Sequence, residues 1–208
     1  WMDVIIYTDG KISEIKFKNG GEVDKPLKTV GTAKHTGTIV TFMPNYNIFK
    51  NCSFSFTTLC ERMQESAFLL PRLTVELEDR TDDEVKKESY HYEDGLVAFV
   101  KYMNEDKKGI SEIMHVNGNK GGINVDIAIQ YTDSYTENVL SFANNINTHS
   151  GGTHLTGFRN GVTKVINDYA RKNNFLKDKD ANLAGEDVRE GMTAIVSVKI
   201  GNPEFEGQ

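Results

Sequence analysis

Cysteine and proline are both scarce in this sequence, and their scarcity narrows the class of protein. The chain has 208 residues, of which 2 are cysteine and 4 are proline. Cys52 and Cys60 form no zinc-ligand spacing with each other or with the histidines, and two cysteines are too few for a disulfide-rich secreted scaffold. We therefore expect a protein of the reducing cytoplasm with two buried thiols.

Long apolar runs and an excess of positive charge are absent as well. No stretch of about 18 apolar residues could span a membrane, and no charged and then apolar leader resembles a signal peptide. The formal net charge is −6, so no overall basic field indicates nucleic acid, although a local basic site is compatible with it. The hydrophobic content of 38% is that of a soluble globular protein with one large or two small domains.

Both ends of the chain fall within or next to strand patterns. "WMDVIIYTDGK" begins inside an apolar run, and "PEFEGQ" follows "MTAIVSVKI" closely without a stop signal of its own. We expect both ends to be cut from a longer chain.

The first part of the sequence predicts a β-meander. Asp9-Gly10 is typical of a type I′ turn that joins two alternating strands, and a third strand is predicted at Thr38 to Phe42. Pro26 is expected to close a loop before this third strand. Pro44 is expected to end the strand, because proline cannot donate to a sheet ladder. "TTLCERMQESAFLL" then predicts a helix that ends before Pro71, and two strands joined by a charged turn follow it.

The second part begins near Asp94, where apolar residues change from strand to helix spacing and predict a domain boundary. A short amphipathic helix is followed by three strands, in "IMHVNG", "INVDIAIQY" and "NVLSFANNI". The longest helix then follows "HSGGTH", and "MTAIVSVKI" is the last strand. The pattern predicts an α+β fold of two successive layers, each a largely antiparallel sheet with helices on one face.

Three features could carry chemistry, and each also has an ordinary structural explanation. His149 and His154 flank a glycine pair, and a metal site there lacks further ligands. A helix start capped by Thr153 suits an anion or a tight contact between elements, and a glycine-hinged loop with an ordinary N-cap explains the same residues. The hydroxyl of Thr38 suits a nucleotide, but threonine is also a good strand former. Basic side chains on the long helix suit a phosphate-binding face or a solvated surface, and Arg159 lies near the edge of the apolar stripe.

Several longer strings resemble a known family. They are, in order, "GTAKHTGTIVTFMPN", "QESAFLL", "YHYEDGLVAFVKYMNEDK", "NNINTHSGGTHLTGFRNGVTKVINDYARK" and "DVREGMTAIVSVKIGNPEFEGQ". They resemble the ATPase region of the bacterial type II DNA topoisomerases, most closely the DNA gyrase B family and next the ATPase subunit of topoisomerase IV. The resemblance covers essentially the whole chain, and "GGTHLTGF" and "REGMTAIVSVK" are its most specific segments.

The resemblance implies a fold, two domains and an activity. Residues 1–93 would be the C-terminal part of a GHKL-type ATP-binding α/β sandwich, and residues 94–208 a transducer domain with a left-handed βαβ crossover. The implied activity is that of a cytoplasmic ATP-dependent type II topoisomerase, in which a closing homodimer traps a DNA segment. ATP and Mg²⁺ would be its cofactors and DNA and the gyrase A subunit its partners, with no part for a membrane.

The resemblance also assigns roles to single residues. Thr38 matches a threonine of the nucleotide pocket near the base, Gln208 opens a Gln-Thr-Lys loop that reaches the γ-phosphate, and Arg159 faces the cavity through which DNA passes. Thr8 stands where the family has an arginine, which puts one nucleotide contact in doubt. The catalytic glutamate, the magnesium-binding asparagine and the dimerisation arm would precede Trp1. This chain alone is therefore expected to be a monomer without catalytic residues and without detectable ATP hydrolysis.

Two other functions stay open. A related GHKL clamp protein of the mismatch-repair or chaperone type would share the fold while acting on other partners. A structural protein could also reuse the segment without nucleotide. The strings "GGTH" and "EFEGQ" favour the topoisomerase.

Overall fold

The computed structural model describes residues 1–50 and 52–205 of the chain. The chain divides into two compact units, Trp1–Ser55 and Phe56–Gln208. Taken over both units it is an α+β protein, as predicted. No helix in the described ranges is long and apolar enough to cross a membrane.

The first unit contains a four-stranded antiparallel sheet. Its strands are β1 (Met2–Thr8), β2 (Lys11–Lys18), β3 (Glu22–Thr32) and β4 (Gly37–Phe42), in the order β3-β2-β1-β4. Asp9 (φ 51°) and Gly10 (φ 74°) both take positive φ between β1 and β2, which confirms the predicted type I′ turn. The strand predicted at Thr38 to Phe42 is β4, at one edge of the sheet.

Pro26 lies within β3, so the prediction of a loop at this position is wrong. β3 is the other edge strand of the sheet. One side of an edge strand has no neighbouring strand, so a proline, which lacks an N–H group, is tolerated there. The pairing with β2 is also irregular there, because Lys16 pairs with Lys25 and Glu14 with Lys28. A bulge of this kind on an edge strand accommodates the proline.

One face of this sheet is apolar. Met2 of β1 pairs with Phe17 of β2 and Phe42 of β4, and directly opposed residues point to the same face. The described residues of this unit include no buried side chain, and Phe42 keeps 55% of its surface exposed. Within this unit, the described residues therefore form an open sheet with an exposed apolar face and do not enclose a core.

The second unit combines a five-stranded sheet, a separate hairpin and four helices among its described residues. Its elements are α1 (Phe56–Leu69), β5 (Val75–Asp79), β6 (Lys86–Tyr90), α2 (Leu96–Met103), β7 (Met114–Lys120), β8 (Ile123–Tyr131), β9 (Asn138–Ala143), β10 (Ile146–Asn147), α3 (Thr153–Lys172), α4 (Gly185–Arg189) and β11 (Met192–Lys199). β5 and β6 form the predicted hairpin. The other strands lie in the order β10-β9-β11-β8-β7.

Helices cover both faces of the five-stranded sheet, so the prediction of helices on one face is wrong. Phe68 of α1 and Phe99 of α2 belong to one buried cluster together with Ile195 of β11. Phe158 of α3 belongs to a second cluster together with Val196, the next residue of β11. Because neighbouring strand residues point to opposite faces, a strand buried on both faces is a largely apolar run, which explains the apolar residues of "MTAIVSV".

A βαβ crossover joins β9 to β11. The two strands are parallel neighbours and are connected through α3 and α4. The predicted sheet was largely antiparallel, and the pairs of β8 with β7 and with β11 are indeed antiparallel. The left-handedness of the crossover stays a prediction.

The predicted domain boundary near Asp94 does not coincide with the division between the compact units, which follows Ser55. Phe68 of α1 stacks on Phe99 of α2 with ring centroids 4.6 Å apart. The helix before Asp94 therefore shares a core with the elements after it. That the ATP-binding domain ends and the transducer domain begins near Asp94 stays a prediction.

Candidate functional site

Thr38 lies on the apolar face of the four-stranded sheet. It pairs with Ile6 of β1, and Thr8, two residues further along β1, points to the same face. Both threonines are exposed, and neither hydroxyl has a hydrogen-bond partner among residues 1–50 and 52–205. Two unpartnered hydroxyls thus stand beside an apolar surface that includes Ile6 and Val40.

This arrangement suits the base end of a nucleotide. A purine ring needs an apolar surface to lie on and a few hydroxyl or amide groups at its edge. Thr8 occupies the position at which the family that the sequence resembles has an arginine. This end of the face therefore carries a short neutral hydroxyl group and not a long cationic side chain. Lys11 pairs with Thr8 across the β1–β2 hairpin and brings a positive charge to the same end of this face.

No metal site is assembled by the part of the chain that the structure describes. Among those residues, no group of three or more His, Cys, Asp or Glu side chains could hold a metal ion. His149 is exposed, and His154 Nε2 lies 3.1 Å from Thr148 Oγ1. Gln208, predicted to open the γ-phosphate loop, lies outside the described residues.

The segment "HSGGTH" docks the long helix α3 on the sheet. Gly152 is the N-cap residue and has no side-chain cap, so the prediction that Thr153 caps the helix is wrong. Gly152 has φ 151°, a conformation that other residues rarely adopt, and a Cβ atom there would also lie 2.9 Å from the His154 ring. Thr148 Oγ1 donates to the Ser141 carbonyl at 2.9 Å and ties β9 to the loop before the helix.

Burial alters the acidity of two side chains around α3. It lowers the pKa of His154, because the charged imidazolium loses solvent near the start of the helix. It raises the pKa of Tyr131, whose hydroxyl donates to the Val188 carbonyl of α4 at 2.8 Å. That hydrogen bond fixes the end of α4 against β8.

Arg159 of α3 belongs to a three-residue ion-pair cluster. Its Nε–H donates to Glu137 Oε1 at 2.7 Å, and the Nε–H of Arg189 donates to Glu137 Oε2 at 3.2 Å. We call Glu137, Arg159 and Arg189 the arginine clamp. One carboxylate faces two guanidinium groups, so the clamp keeps one positive charge in excess, as a phosphate-binding surface requires.

Two other basic residues of α3, Lys164 and Arg171, contact partners within the chain. Lys164 pairs with Asp168, and Arg171 donates to the carbonyl groups of Lys177 and Asp180 at 3.0 and 2.9 Å. These contacts are those of a solvated helix face and of a connector held to its helix. Lys172 is exposed and has no partner in the described ranges, so Arg159 and Lys172 are the residues of the predicted basic face that remain candidates for binding a ligand.

Sequence reasoning singled out Arg159 but missed its two partners. Glu137 lies 22 positions before Arg159 and 52 positions before Arg189, and no periodicity connects such distant residues. The local signals were weak: Glu137 directly precedes β9, and Arg189 ends α4 and is the first residue of the segment "REGMTAIVSVK".

Comparisons with known proteins agree on the kind of relative. A sequence model of the family described as DNA gyrase B matches residues 95–208. The B subunit of DNA topoisomerase 4 from Staphylococcus aureus (strain MW2) is 49% identical over 211 residues, which cover 100% of this chain and 32% of that protein.

Solved structures match the whole chain. The 43K ATPase domain of Thermus thermophilus gyrase B, solved with an aminocoumarin, has a TM-score of 0.82 at 36% identity and is covered to 57%. The topoisomerase IV ATP-binding domain of Francisella tularensis, solved with a small-molecule inhibitor, has a TM-score of 0.81 at 28% identity and is covered to 56%. This chain therefore spans about a third of the curated relative and a little over half of each solved chain.

Proposed function

This chain belongs to the DNA gyrase B family, and we propose that it is part of the ATP-hydrolysing subunit of a bacterial type II DNA topoisomerase. In that role, ATP binding and hydrolysis would be coupled to the capture and passage of a DNA segment. The observation that carries the proposal is the match of the whole chain to the ATPase domain of gyrase B at a TM-score of 0.82.

In this proposal, separate roles belong to Thr38 and Arg159, which the structure describes, and to Gln208, which lies outside the described residues. Thr38, with Thr8 and Lys11 beside it, would hold the base end of ATP on the first sheet. Arg159 would contact the DNA phosphates from the second unit. Gln208 would open the loop that reaches the γ-phosphate, and residues 94–208 would be the transducer domain that carries it.

Two comparisons favour different sister enzymes. The family model is that of gyrase B, which supports a protein that works with gyrase A to introduce negative supercoils. The 49% identity to the B subunit of a topoisomerase 4 favours the sister enzyme. Reconstitution with the partner subunit of each enzyme distinguishes them: ATP-dependent supercoiling of relaxed plasmid indicates gyrase, and decatenation without supercoiling indicates topoisomerase IV.

The proposal is tested on the full-length cytoplasmic protein that contains this chain. We expect Mg²⁺-dependent ATP hydrolysis that DNA stimulates, and ATP-dependent association of two subunits. The 208-residue chain alone should bind no second copy and hydrolyse no ATP. A full-length protein that hydrolysed no ATP with Mg²⁺ and DNA present would contradict the proposal.

Replacing Thr38 by valine tests the nucleotide site. The change keeps the shape of the side chain but removes its hydroxyl, so we expect the KM for ATP to rise roughly fivefold for the loss of about 1 kcal/mol. Thr41→Val is the matched control, because Thr41 lies on the same strand and points to the opposite face. Equal effects of the two substitutions would remove Thr38 from the site.

A further inference from the structure

The two arginines of the arginine clamp are not equivalent. The side chain of Arg189 is 15% exposed and that of Arg159 is 40% exposed, with Glu137 between them at 24%. Arg189 is also enclosed on another side, because a Cβ atom at Gly185 would lie 2.6 Å from its Nη1. Arg189 therefore belongs to the interior of the cluster, and Arg159 is the member that an external ligand can reach.

Glu137 holds Arg159 by one side of its guanidinium group. The contact uses the Nε–H, and the two terminal nitrogens of Arg159 have no hydrogen-bond partner in the described ranges of the chain. The end of the guanidinium that is able to bind a phosphate in a bidentate manner is thus unoccupied by protein. The carboxylate beside it lowers the positive potential that a phosphate would meet.

The position of Glu137 is determined by the fold rather than by a flexible loop. It directly precedes β9, whose first residue, Asn138, pairs with Thr193 of β11 in the middle of the sheet. Arg189 ends α4, which the hydrogen bond from Tyr131 to the Val188 carbonyl holds in place. Glu137 is therefore a fixed counter-charge and not a mobile surface group.

We propose that Glu137 is a positioning residue that limits the affinity of Arg159 for DNA phosphate. It holds the guanidinium by Nε with the terminal nitrogens outward, and it neutralises part of the charge that DNA would otherwise meet. This inference rests on the proposed DNA-binding function. DNA binding is weakened by Glu137, which favours release of a captured segment over tight retention.

The test is the affinity of the full-length protein for labelled duplex DNA, measured by fluorescence anisotropy between about 50 and 200 mM salt. Glu137→Gln keeps an oxygen acceptor for Arg159 while it removes the charge. We expect about two- to fivefold tighter binding at low salt, the size of a partly exposed ion pair. The slope of log affinity against log salt should steepen by up to about 0.9.

Glu78→Gln is the matched control. Glu78 also places one carboxylate between two cations, Arg80 and Lys87, on the β5–β6 hairpin. The substitution changes the net charge of the protein by the same amount. We expect a smaller change in DNA affinity than for Glu137→Gln, and an equal gain would mean that only the overall charge matters and would overturn the inference.

The double variant Glu137→Gln with Arg159→Gln tests whether Glu137 acts through Arg159, and the single variant Arg159→Gln tests whether Arg159 binds DNA. If Glu137 acts through Arg159, the gain in affinity disappears in the double variant, and its persistence would refute the inference. If Arg159→Gln alone left DNA binding unchanged, the proposed role of Arg159 would fail instead. Should Glu137→Gln not fold, Glu137→Asp retracts the carboxylate from Arg159 and should give a smaller gain; unchanged or weaker binding would again overturn the inference.

Discussion

At the scale of single residues, His154 links the start of α3 to the acid stability of the chain. Burial lowers its pKa in the folded protein, so the unfolded chain, with a pKa of about 6.5, takes up the proton first. The contribution of His154 to stability is therefore complete above about pH 6.5 and is lost as the pH falls below it. Urea denaturation at a series of pH values should show this loss, and His154→Gln should reduce it.

His149 provides the control for this measurement. His149 lies in the loop before α3 and is exposed, so His149→Gln leaves the half-buried ring of His154 and its contact with Thr148 in place. We expect the acid dependence of this variant to equal that of the unaltered chain. The same reduction for both substitutions would show that His154 is not the group responsible.

At the scale of elements, two glycines should respond to alanine in opposite directions. Gly191, before β11, has φ 72°, and a Cβ atom there would lie 2.6 Å from the Thr132 carbonyl oxygen. Gly191→Ala should lower the free energy of unfolding by about 1–3 kcal/mol from the positive φ, and by more through the close contact. Chemical denaturation measures this loss of stability and the change expected for Gly161→Ala.

Gly161 lies inside α3, and nothing lies within 4 Å of a Cβ atom there. Gly161→Ala should raise the free energy of unfolding by about 0.5–1 kcal/mol, because alanine is the better helix former. A loss of stability at Gly161, or no loss at Gly191, would contradict the packing described around these two positions.

Elements that depend on neighbours in the sequence could be predicted, and those that depend on distant contacts could not. The Asp9-Gly10 turn, α3 and β11 follow from turn chemistry and apolar spacing over a few residues. The position of Pro26 in a strand depends on β3 being an edge of the sheet, which no local pattern shows. The parallel pairing of β9 with β11 likewise depends on the path of the whole crossover.

The candidate site follows the same rule. The family resemblance indicated Thr38 and Arg159 because each belongs to a recognisable string. It assigned no role to Glu137, which lies outside those strings, or to Arg189, which lies inside one of them. The role of both residues comes from the contacts of Glu137 with Arg159 and with Arg189. Lys11 beside Thr8 is a similar case, because its relevance appears only when the hairpin register is known.

At the scale of the whole molecule, buried side chains are distributed unequally between the two compact units. All the buried residues among those described, including Phe68, Val100 and Ile195, belong to Phe56–Gln208. The described residues of Trp1–Ser55 include no buried side chain, and a chain segment this short that buries little apolar surface is only marginally stable. We therefore expect residues 56–208 to unfold cooperatively on their own and residues 1–55 to show no cooperative transition by circular dichroism.

A third fragment, residues 94–208, tests which boundary governs stability. It begins at the predicted limit between family domains but lacks α1, so it loses Phe68, which is 1% exposed and stacks on Phe99. Removing a buried aromatic side chain costs about 3–5 kcal/mol. We expect residues 94–208 to unfold at a clearly lower urea concentration than residues 56–208. Equal midpoints would show that the elements after Asp94 form a complete core, so that the evolutionary boundary and the folding boundary coincide.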